Sequence, residues 1–284
     1  MNPMTASDVP RLRHPAKAPV PSSRPAAQAR RRLMGTAGGP LFMADWLDAL
    51  FLHFRVPAEV LRERVPFELD LLDGDAVVSL VAFRMEHFRC PALAFLGEAP
   101  WRPFAGQHFL NVRTYVRCGD EVGIHFLAEF LSSRLNVLLG PAAYGLPYRA
   151  APVRVRRDGH EFAGGIEAGR RGRFRGSGRA RGPFRPCAAG STAEWLLERH
   201  TAFTRFVGLR RCFRIWHEPW EQEEVDVREL ETSLIAAELP WWPEARLFAA
   251  HGSPGARDVW MTRPLRIPDP TAPDRNRPSY PPLP

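Results

Sequence analysis

Asn111, Arg113 and Tyr115 alternate along one predicted strand and carry side chains suited to binding a small molecule. Alternate residues of a strand point to the same face of a sheet. A buried guanidinium needs an anion, which is either a protein carboxylate or a carboxylate or phosphate of a ligand. The pattern predicts a site for a small organic acid. The alternatives are a salt bridge between Arg113 and an internal glutamate, or a strand face open to solvent.

His125 and Glu129 lie on the predicted return strand and are candidates for acid/base catalysis. Their spacing of four residues predicts that both share one face of that strand. A histidine titrates near neutral pH, and Glu129 would orient it or balance the charge of Arg113. The alternative is a histidine whose hydrogen bonds are satisfied, beside a structural Arg–Glu salt bridge.

His53 and Tyr148 are weaker candidates, for catalysis and for ligand binding respectively. His53 stands between Leu52 and Phe54 in an apolar stretch, where a hydrogen-bonded core histidine is the simpler interpretation. Tyr148 follows a Leu-Pro pair, and a buried tyrosine hydroxyl needs a hydrogen-bond partner.

Several kinds of chemistry have no matching motif in the chain. No HxH or HExxH spacing occurs and the four cysteines have no zinc spacing, so we predict no metal and no cofactor. No nucleophile elbow, Walker A or dinucleotide fingerprint is present. Lys17 is the only lysine, so a Schiff-base lysine is excluded from the predicted folded region. Free thiols favour a cytoplasmic location.

Basic charge is concentrated in two places. Residues 1–40 carry a charge of +6 out of the total of +8. Residues 169–185 contain seven arginines and five glycines and are predicted to form a loop. Such a loop would suit RNA, but a solvated insertion is the simpler interpretation and we expect no nucleic-acid partner.

The chain divides into a single domain and two proline-rich tails. We predict a disordered basic tail over 1–41, a domain over 42–265 and a second tail over 266–284. A mis-assigned start codon is an alternative for the first tail. No run of about 18 apolar residues occurs, so we expect no membrane partner.

Strands dominate the predicted domain. Hairpin turns and few helices favour an α+β, β-dominated fold built from curved antiparallel sheets or a closed β-barrel with outer helices. The predicted helices are 57–64, 134–143 and 192–206, the last with a capping box from Ser191 to Glu194.

Five segments in order resemble the YqjF-like family, domain of unknown function 2071. They are LFLHFRVPAEVLRERVP (50–66), NVRTYV (111–116), GLPY (145–148), WLLERHTAF (195–203) and HEPW (217–220). The resemblance covers roughly residues 44–262. It implies the acetoacetate decarboxylase-like fold, a closed or double curved sheet with helices packed outside it, and supplies no reaction.

Two departures limit what the resemblance implies. Acetoacetate decarboxylases use a lysine nucleophile, and the predicted domain has none. Family members tend to have an acidic residue two positions before the Asn of NVRTYV, where this chain has Phe109.

Three functions fit the sequence, and we rank them. The first is a small-molecule pocket for an organic acid, with lysine-independent acid/base chemistry. The second is a non-catalytic binding or scaffold protein whose polar face is a structural network. The third is nucleic-acid association through the Arg-rich segment. Trp241 and Trp242, between two prolines, indicate an exposed contact patch that would suit a homo-oligomer.

Overall fold

The computed structural model describes residues 24–96, 99–104 and 106–267. Strands dominate, which confirms the predicted fold class. The strands are β1 Pro40–Val56, β2 Glu68–Leu69, β3 Ala76–Arg89, β4 Gln107–Cys118, β5 Glu121–Leu131, β6 Tyr148–Ala150, β7 Val153–Asp158, β8 Glu161–Glu167, β9 Arg173–Ala180, β10 Arg185–Pro186, β11 Thr201–Phe206, β12 Leu209–Trp216, β13 Glu221–Glu231, β14 Arg246–Thr262 and β15 Leu265–Arg266.

The helices are short and connect or cover the strands. They are α1 Arg24–Met34, α2 Ala58–Arg62, α3 Arg134–Tyr144, α4 Thr192–Leu197 and α5 Ser233–Glu238, with 3-10 turns at Pro91–Leu96, Ala99–Phe104, Gly169–Arg171 and Trp242–Glu244. No helix in the described part of the chain has the length and hydropathy that a membrane crossing requires.

The strands form one large curved sheet. Its central strands pair in the order β12, β11, β5, β4, β3, β1, β14, and the sheet continues through β13, β9, β8 and β7. β12 also pairs with β14, through Ile215–Met261 and Trp216–Trp260. The curved sheet is therefore confirmed. The contact between β12 and β14 in the described residues is limited to these two pairs, so the closed barrel stays a prediction.

Two hydrophobic cores lie on opposite faces of the central strands. The first core lies between the central strands and a second layer formed by β7, β8 and β9. It contains Leu50, Leu80 and Leu110, which pack with Phe162 of β8 and Phe174 of β9. The burial of these apolar side chains holds β7 to β9 against the central sheet.

The second core contains Phe51, Val81 and Tyr115, packed with Leu196 and Trp220. This core covers one face of β1, β3, β4 and β5, which carries Phe51, Ser79, Arg113 and Glu129. We call it the Arg113 face.

The Arg-rich segment was wrongly predicted to be a loop throughout, because its central eight residues form β9. Phe174, Gly176 and Ala180 alternate with exposed arginines and are buried. A Cβ at Gly176 would lie 2.9 Å from Leu52 Cδ1, so the glycine allows the two layers to approach closely. Apart from Phe174, the buried positions are glycine and alanine, which concealed the alternation.

Two other segments differ from the prediction. The helix predicted over 192–206 ends at Leu197, and Thr201–Phe206 forms β11 beside β5. The cap at Ser191 is confirmed, since its Oγ accepts the Glu194 amide at 3.1 Å. Residues 24–34, predicted to belong to the disordered tail, form α1, which packs on β12. Residues 1–23 and 268–284 lie outside the described residues.

The two tryptophans predicted to be exposed are buried instead. Trp241 and Trp242 retain 6% and 5% of their accessible surface. The Trp242 ring packs 4.7 Å from Phe54, and its Nε1 donates to Thr232 Oγ1 at 2.9 Å. The pair therefore belongs to the first core and is not a contact patch.

We predict that Phe174→Ala lowers the free energy of unfolding by about 3–5 kcal/mol, because it empties a buried position between two layers. Phe95, which is 80% exposed, is the matched control. Phe95→Ala is expected to stay within about 0.5 kcal/mol of wild type. Urea unfolding measures both, and equal stability of the two variants would contradict the strand assignment of β9.

Candidate functional site

The polar residues predicted from NVRTYV lie together on the Arg113 face. Asn111, Arg113 and Tyr115 retain 8%, 8% and 0% of their accessible surface, which excludes the solvent-facing alternative. Strand pairing places Ser79 beside Arg113 and His53 beside Ser79. Directly opposite residues share a face of the sheet, so β1, β3 and β4 together assemble a polar row inside the second core.

The Arg113 guanidinium has few partners for a buried charge. Its Nη2 donates weakly to the Leu196 carbonyl at 3.4 Å, its Cζ lies 5.8 Å from the centre of the Phe51 ring, and its Nε has no hydrogen-bond partner. Among the described residues, no carboxylate oxygen lies within 4.0 Å of it. The predicted salt bridge to an internal glutamate is therefore not formed.

Two neighbouring arginines differ from Arg113 in having a carboxylate partner. Both Arg117 and Arg199 are paired with Asp70, at 3.7 Å and 2.7 Å. Arg199 also stacks over Trp195, with its Cζ 4.2 Å from the centre of the ring. Arg113 is buried to a similar extent as Arg199 but has no such anion.

Glu129 is a buried carboxyl group opposite Asn111 on β5. Burial raises its pKa well above the usual value, and the opposing effect of the Arg113 charge is smaller. Neither Glu129 Oε2 nor Asn111 Oδ1 has a hydrogen-bond partner among the described residues. Burial therefore favours the protonated form of Glu129, in which it can donate a hydrogen bond or a proton.

Tyr148 lies at the same end of the site. It begins β6, which pairs in parallel with β5 and sets Tyr148 beside Glu129. Burial raises the pKa of its hydroxyl well above the usual value, and ionisation of Glu129 would raise it further. Phe109, which stands where the family tends to have an acid, stacks on Phe83 with ring centres 5.1 Å apart.

His125 does not share a face with Glu129, contrary to the prediction. Arg113 pairs with Phe126 but Val112 pairs with Ala128, so Leu127 is an extra residue in β5. Such a β-bulge reverses the alternation of side chains along the strand. The His125 ring consequently packs in the first core against Phe67, at 5.4 Å, and is not part of the Arg113 face.

His53 belongs to a chain of hydrogen bonds that crosses the Arg113 face. Tyr115 Oη donates to the Leu196 carbonyl at 2.9 Å, and Ser79 Oγ lies 2.7 Å from both Tyr115 Oη and His53 Nδ1. His53 Nε2 lies 3.1 Å from His251 Nδ1.

The Leu196 carbonyl determines which atom donates in each of these hydrogen bonds, because a carbonyl can only accept. Tyr115 has one hydroxyl proton and donates it to Leu196, so Ser79 donates to Tyr115 and accepts from His53 Nδ1. A neutral His53 then accepts from His251 through Nε2. All four contacts are satisfied by this one arrangement of protons.

Burial keeps both histidines of this network neutral. Burial lowers the pKa of His53 well below its usual value, and protonation of His251 and the charge of Arg113 each oppose a second charge on His53. Burial lowers the pKa of His251 to about 4, while Glu224 acts weakly in the other direction. His53 is therefore a neutral donor and acceptor at physiological pH.

Sequence patterns did not identify Ser79, His251 or a second polar cluster of Glu198, His200 and His217. Ser79 and His251 are 26 and 198 residues from His53 along the chain, so only strand pairing brings them together. The members of the second cluster do lie in two segments quoted for the family resemblance, 195–203 and 217–220.

The exposed arginines of β9, and Arg181 directly after it, have acidic partners. Arg175 pairs with Glu167 at 2.8 Å, and Arg179 pairs with Glu161 at 3.1 Å. Arg181 contacts Asp226 at 2.8 Å. Because these charges are balanced by neighbouring strands, β9 offers little net positive charge to a nucleic-acid backbone.

Solved structures with the same architecture define the fold. Acetoacetate decarboxylase from Legionella pneumophila is 15% identical, with a TM-score of 0.56 over 82% of this chain and 89% of that chain. An acetoacetate decarboxylase-like enzyme from Sphingomonas wittichii RW1 is 13% identical, with a TM-score of 0.57 over 82% and 96%. The enduracididine biosynthesis enzyme MppR, complexed with pyruvate, is 10% identical, with a TM-score of 0.58 over 82% and 92%. The protein has the acetoacetate decarboxylase-like fold.

The sequence places the chain within a family. Residues 43–257 match the model of DUF2071, described as an uncharacterized conserved protein. The uncharacterized protein YqjF of Bacillus subtilis (strain 168) is 30% identical over 185 residues, which span 62% of this chain and 72% of that protein. The chain belongs to the DUF2071 family, as the five segments predicted.

We predict that His251→Gln flattens the dependence of stability on pH between about 6.5 and 4. The unfolded chain binds a proton on His251 in this window and the native state does not, so wild type loses stability as the pH falls. Glutamine does not titrate, so the unfolded variant binds no proton at this position. Urea unfolding at pH 6.5 and 4.5 measures the change, with His160→Gln as the control. An unchanged slope in His251→Gln would contradict the neutral assignment.

Proposed function

We propose that this protein binds a small organic acid on the Arg113 face and uses Glu129 as an acid in chemistry that needs no lysine. The observation that carries the proposal is the buried Arg113 guanidinium, which has no carboxylate partner among the described residues. A buried unpaired charge is costly, and a ligand carboxylate would supply the missing anion.

The free atoms around Arg113 suit an oxo or hydroxy acid. The carboxylate of such a ligand would accept hydrogen bonds from Arg113 Nε, which has no partner, and from the guanidinium nitrogen beside it. The protonated Glu129 would donate to the oxygen of the ligand's carbonyl or hydroxyl group. Proton donation to an oxygen where negative charge develops is a common catalytic role for a carboxyl group with a raised pKa.

Two features guide the choice of ligand. A structural neighbour, MppR, is complexed with pyruvate, and other neighbours are acetoacetate decarboxylases. The described residues contain no lysine, so the Arg113 face offers no amine to form an imine with an oxo acid. Pyruvate and acetoacetate are therefore suitable first probes, and any turnover would proceed without an imine to a lysine.

We predict that pyruvate or acetoacetate raises the melting temperature of the full chain and that Arg113→Met abolishes this shift. A ligand at 100 times its Kd adds about 2.7 kcal/mol to the free energy of unfolding. Methionine keeps much of the side-chain volume and removes the charge. The matched control is Arg117→Met, on the same strand but half-exposed and near Asp70. A shift that survives in Arg113→Met would contradict the site.

We predict that Glu129→Gln still binds the acid but no longer converts it. Glutamine keeps the shape and one acceptor oxygen of Glu129 but has no acidic proton to transfer. Binding is measured by the thermal shift, and conversion by the NMR spectrum of acid incubated with each variant. Full turnover by Glu129→Gln would contradict its role as the acid. A wild-type protein that binds the acid and converts none would favour the non-catalytic binding protein.

A further inference from the structure

Glu198, His200 and His217 form a second buried cluster, beside the Arg113 face. Glu198 follows the last residue of α4, His200 precedes β11, and His217 follows β12. One side-chain nitrogen or oxygen of each lies within 4.8 Å of those of the other two. The cluster takes no part in the function proposed above.

Each member has a polar atom that is left without a partner or is free to act as a ligand. Glu198 Oε1 accepts the Trp220 amide at 2.8 Å, but its Oε2 has no hydrogen bond. His217 Nδ1 lies 2.8 Å from the Glu218 carbonyl and must donate to it, which leaves the lone pair on Nε2. The His200 ring lies near the Ile215 backbone and 3.4 Å from Glu198 Oε2, but neither ring nitrogen forms a well-aligned hydrogen bond in the described part of the chain.

Unsatisfied polar atoms are unusual at this degree of burial. The side chains of His200 and Glu198 are 9% and 1% exposed, and His217 is 1% exposed overall. Buried side-chain polar atoms nearly always have a partner, and exceptions call for an explanation such as an ion. The His200 and His217 ring centres lie 4.6 Å apart, and Trp220 packs 5.1 Å from His217. The cluster is therefore held in place by rigid aromatic neighbours.

The spacing of these atoms suits a small cation. Tetrahedral zinc with bonds of about 2.0–2.1 Å to nitrogen and oxygen requires ligand atoms roughly 3.3 Å apart. His200 Nε2 and Glu198 Oε2 lie 3.4 Å apart. The bond between His217 and the Glu218 carbonyl is the kind of outer contact that orients a metal-binding histidine.

A small cavity reaches the cluster from outside. Its volume is about 80 Å³, and Glu198 and His200 form part of its wall, with Thr201, Arg214 and Val122. Residues of α1 cover the other side, and they are Pro25, Gln28, Ala29 and Arg32. This space would hold water or a small ligand next to a metal, which is the arrangement of a metal site with an open coordination position.

We propose that Glu198, His200 and His217 bind a divalent transition-metal ion of the zinc type, with an open position that faces the cavity under α1. Two imidazole nitrogens and one carboxylate oxygen favour such ions over Mg²⁺ or Ca²⁺, which prefer oxygen ligands. Residue spacing did not predict a metal site here, because the three ligands come from two segments that meet only in the fold.

The test uses the full chain without a purification tag, stripped with a chelator and titrated with Co²⁺ and Zn²⁺. We expect one Co²⁺ per chain, a visible absorption band typical of a low coordination number, and displacement of Co²⁺ by Zn²⁺. Mg²⁺ should not compete. His200→Gln and His217→Gln should each weaken binding by more than the roughly 10–100-fold that the loss of an outer contact costs.

Matched variants separate this site from other histidines and from the proposed acid site. His160→Gln, on the turn between β7 and β8, should bind Co²⁺ as wild type does, and Arg113→Met, which removes a positive charge that acts on His217, should bind it at least as tightly. Glu198→Gln keeps an oxygen for the Trp220 amide and removes the charge, so it should fold and bind weakly even where a histidine variant unfolds. The proposal is overturned if stripped wild-type protein binds neither ion, or if binding survives unchanged in folded His200→Gln, His217→Gln or Glu198→Gln.

Discussion

The buried charge of Arg113 is the constraint on which the Arg113 face depends. The guanidinium is 8% exposed, lies over Phe51 and has only one long hydrogen bond, to the Leu196 carbonyl. An arginine cannot escape this cost by losing its proton, because its pKa is too high. Burial favours the neutral form of His53 and the protonated form of Glu129, so neither group places a negative charge beside Arg113.

The strand pattern was readable because one face of each central strand is buried. Alternation in 111–117 correctly placed Asn111, Arg113 and Tyr115 on one face, and the five family segments correctly implied the fold. Alternation failed in β9, where the buried positions other than Phe174 are glycine and alanine. It failed again at Leu127, where one extra residue sends His125 into the first core. A bulge of this kind has no marker in a single sequence.

The chemistry was harder to predict than the fold, because its parts are distant along the chain. Ser79 and His251 complete the hydrogen-bond chain of His53 through strand pairing alone. Glu198 and His200 lie only two residues apart, but a helix end and a strand start place them so that His217 can join them. Leu196 links the two regions, since its carbonyl accepts from Tyr115 and Arg113 just before the chain reaches Glu198.

A crystal structure of the full chain grown with pyruvate would test the central claim most directly, because it shows what neutralises Arg113. The account predicts a pyruvate carboxylate within about 2.7–3.2 Å of Arg113 Nε and of a neighbouring guanidinium nitrogen, with the Glu129 carboxyl group near the oxo group. An Arg113 side chain paired directly with the Glu129 carboxylate, and no pyruvate on the Arg113 face, would contradict it.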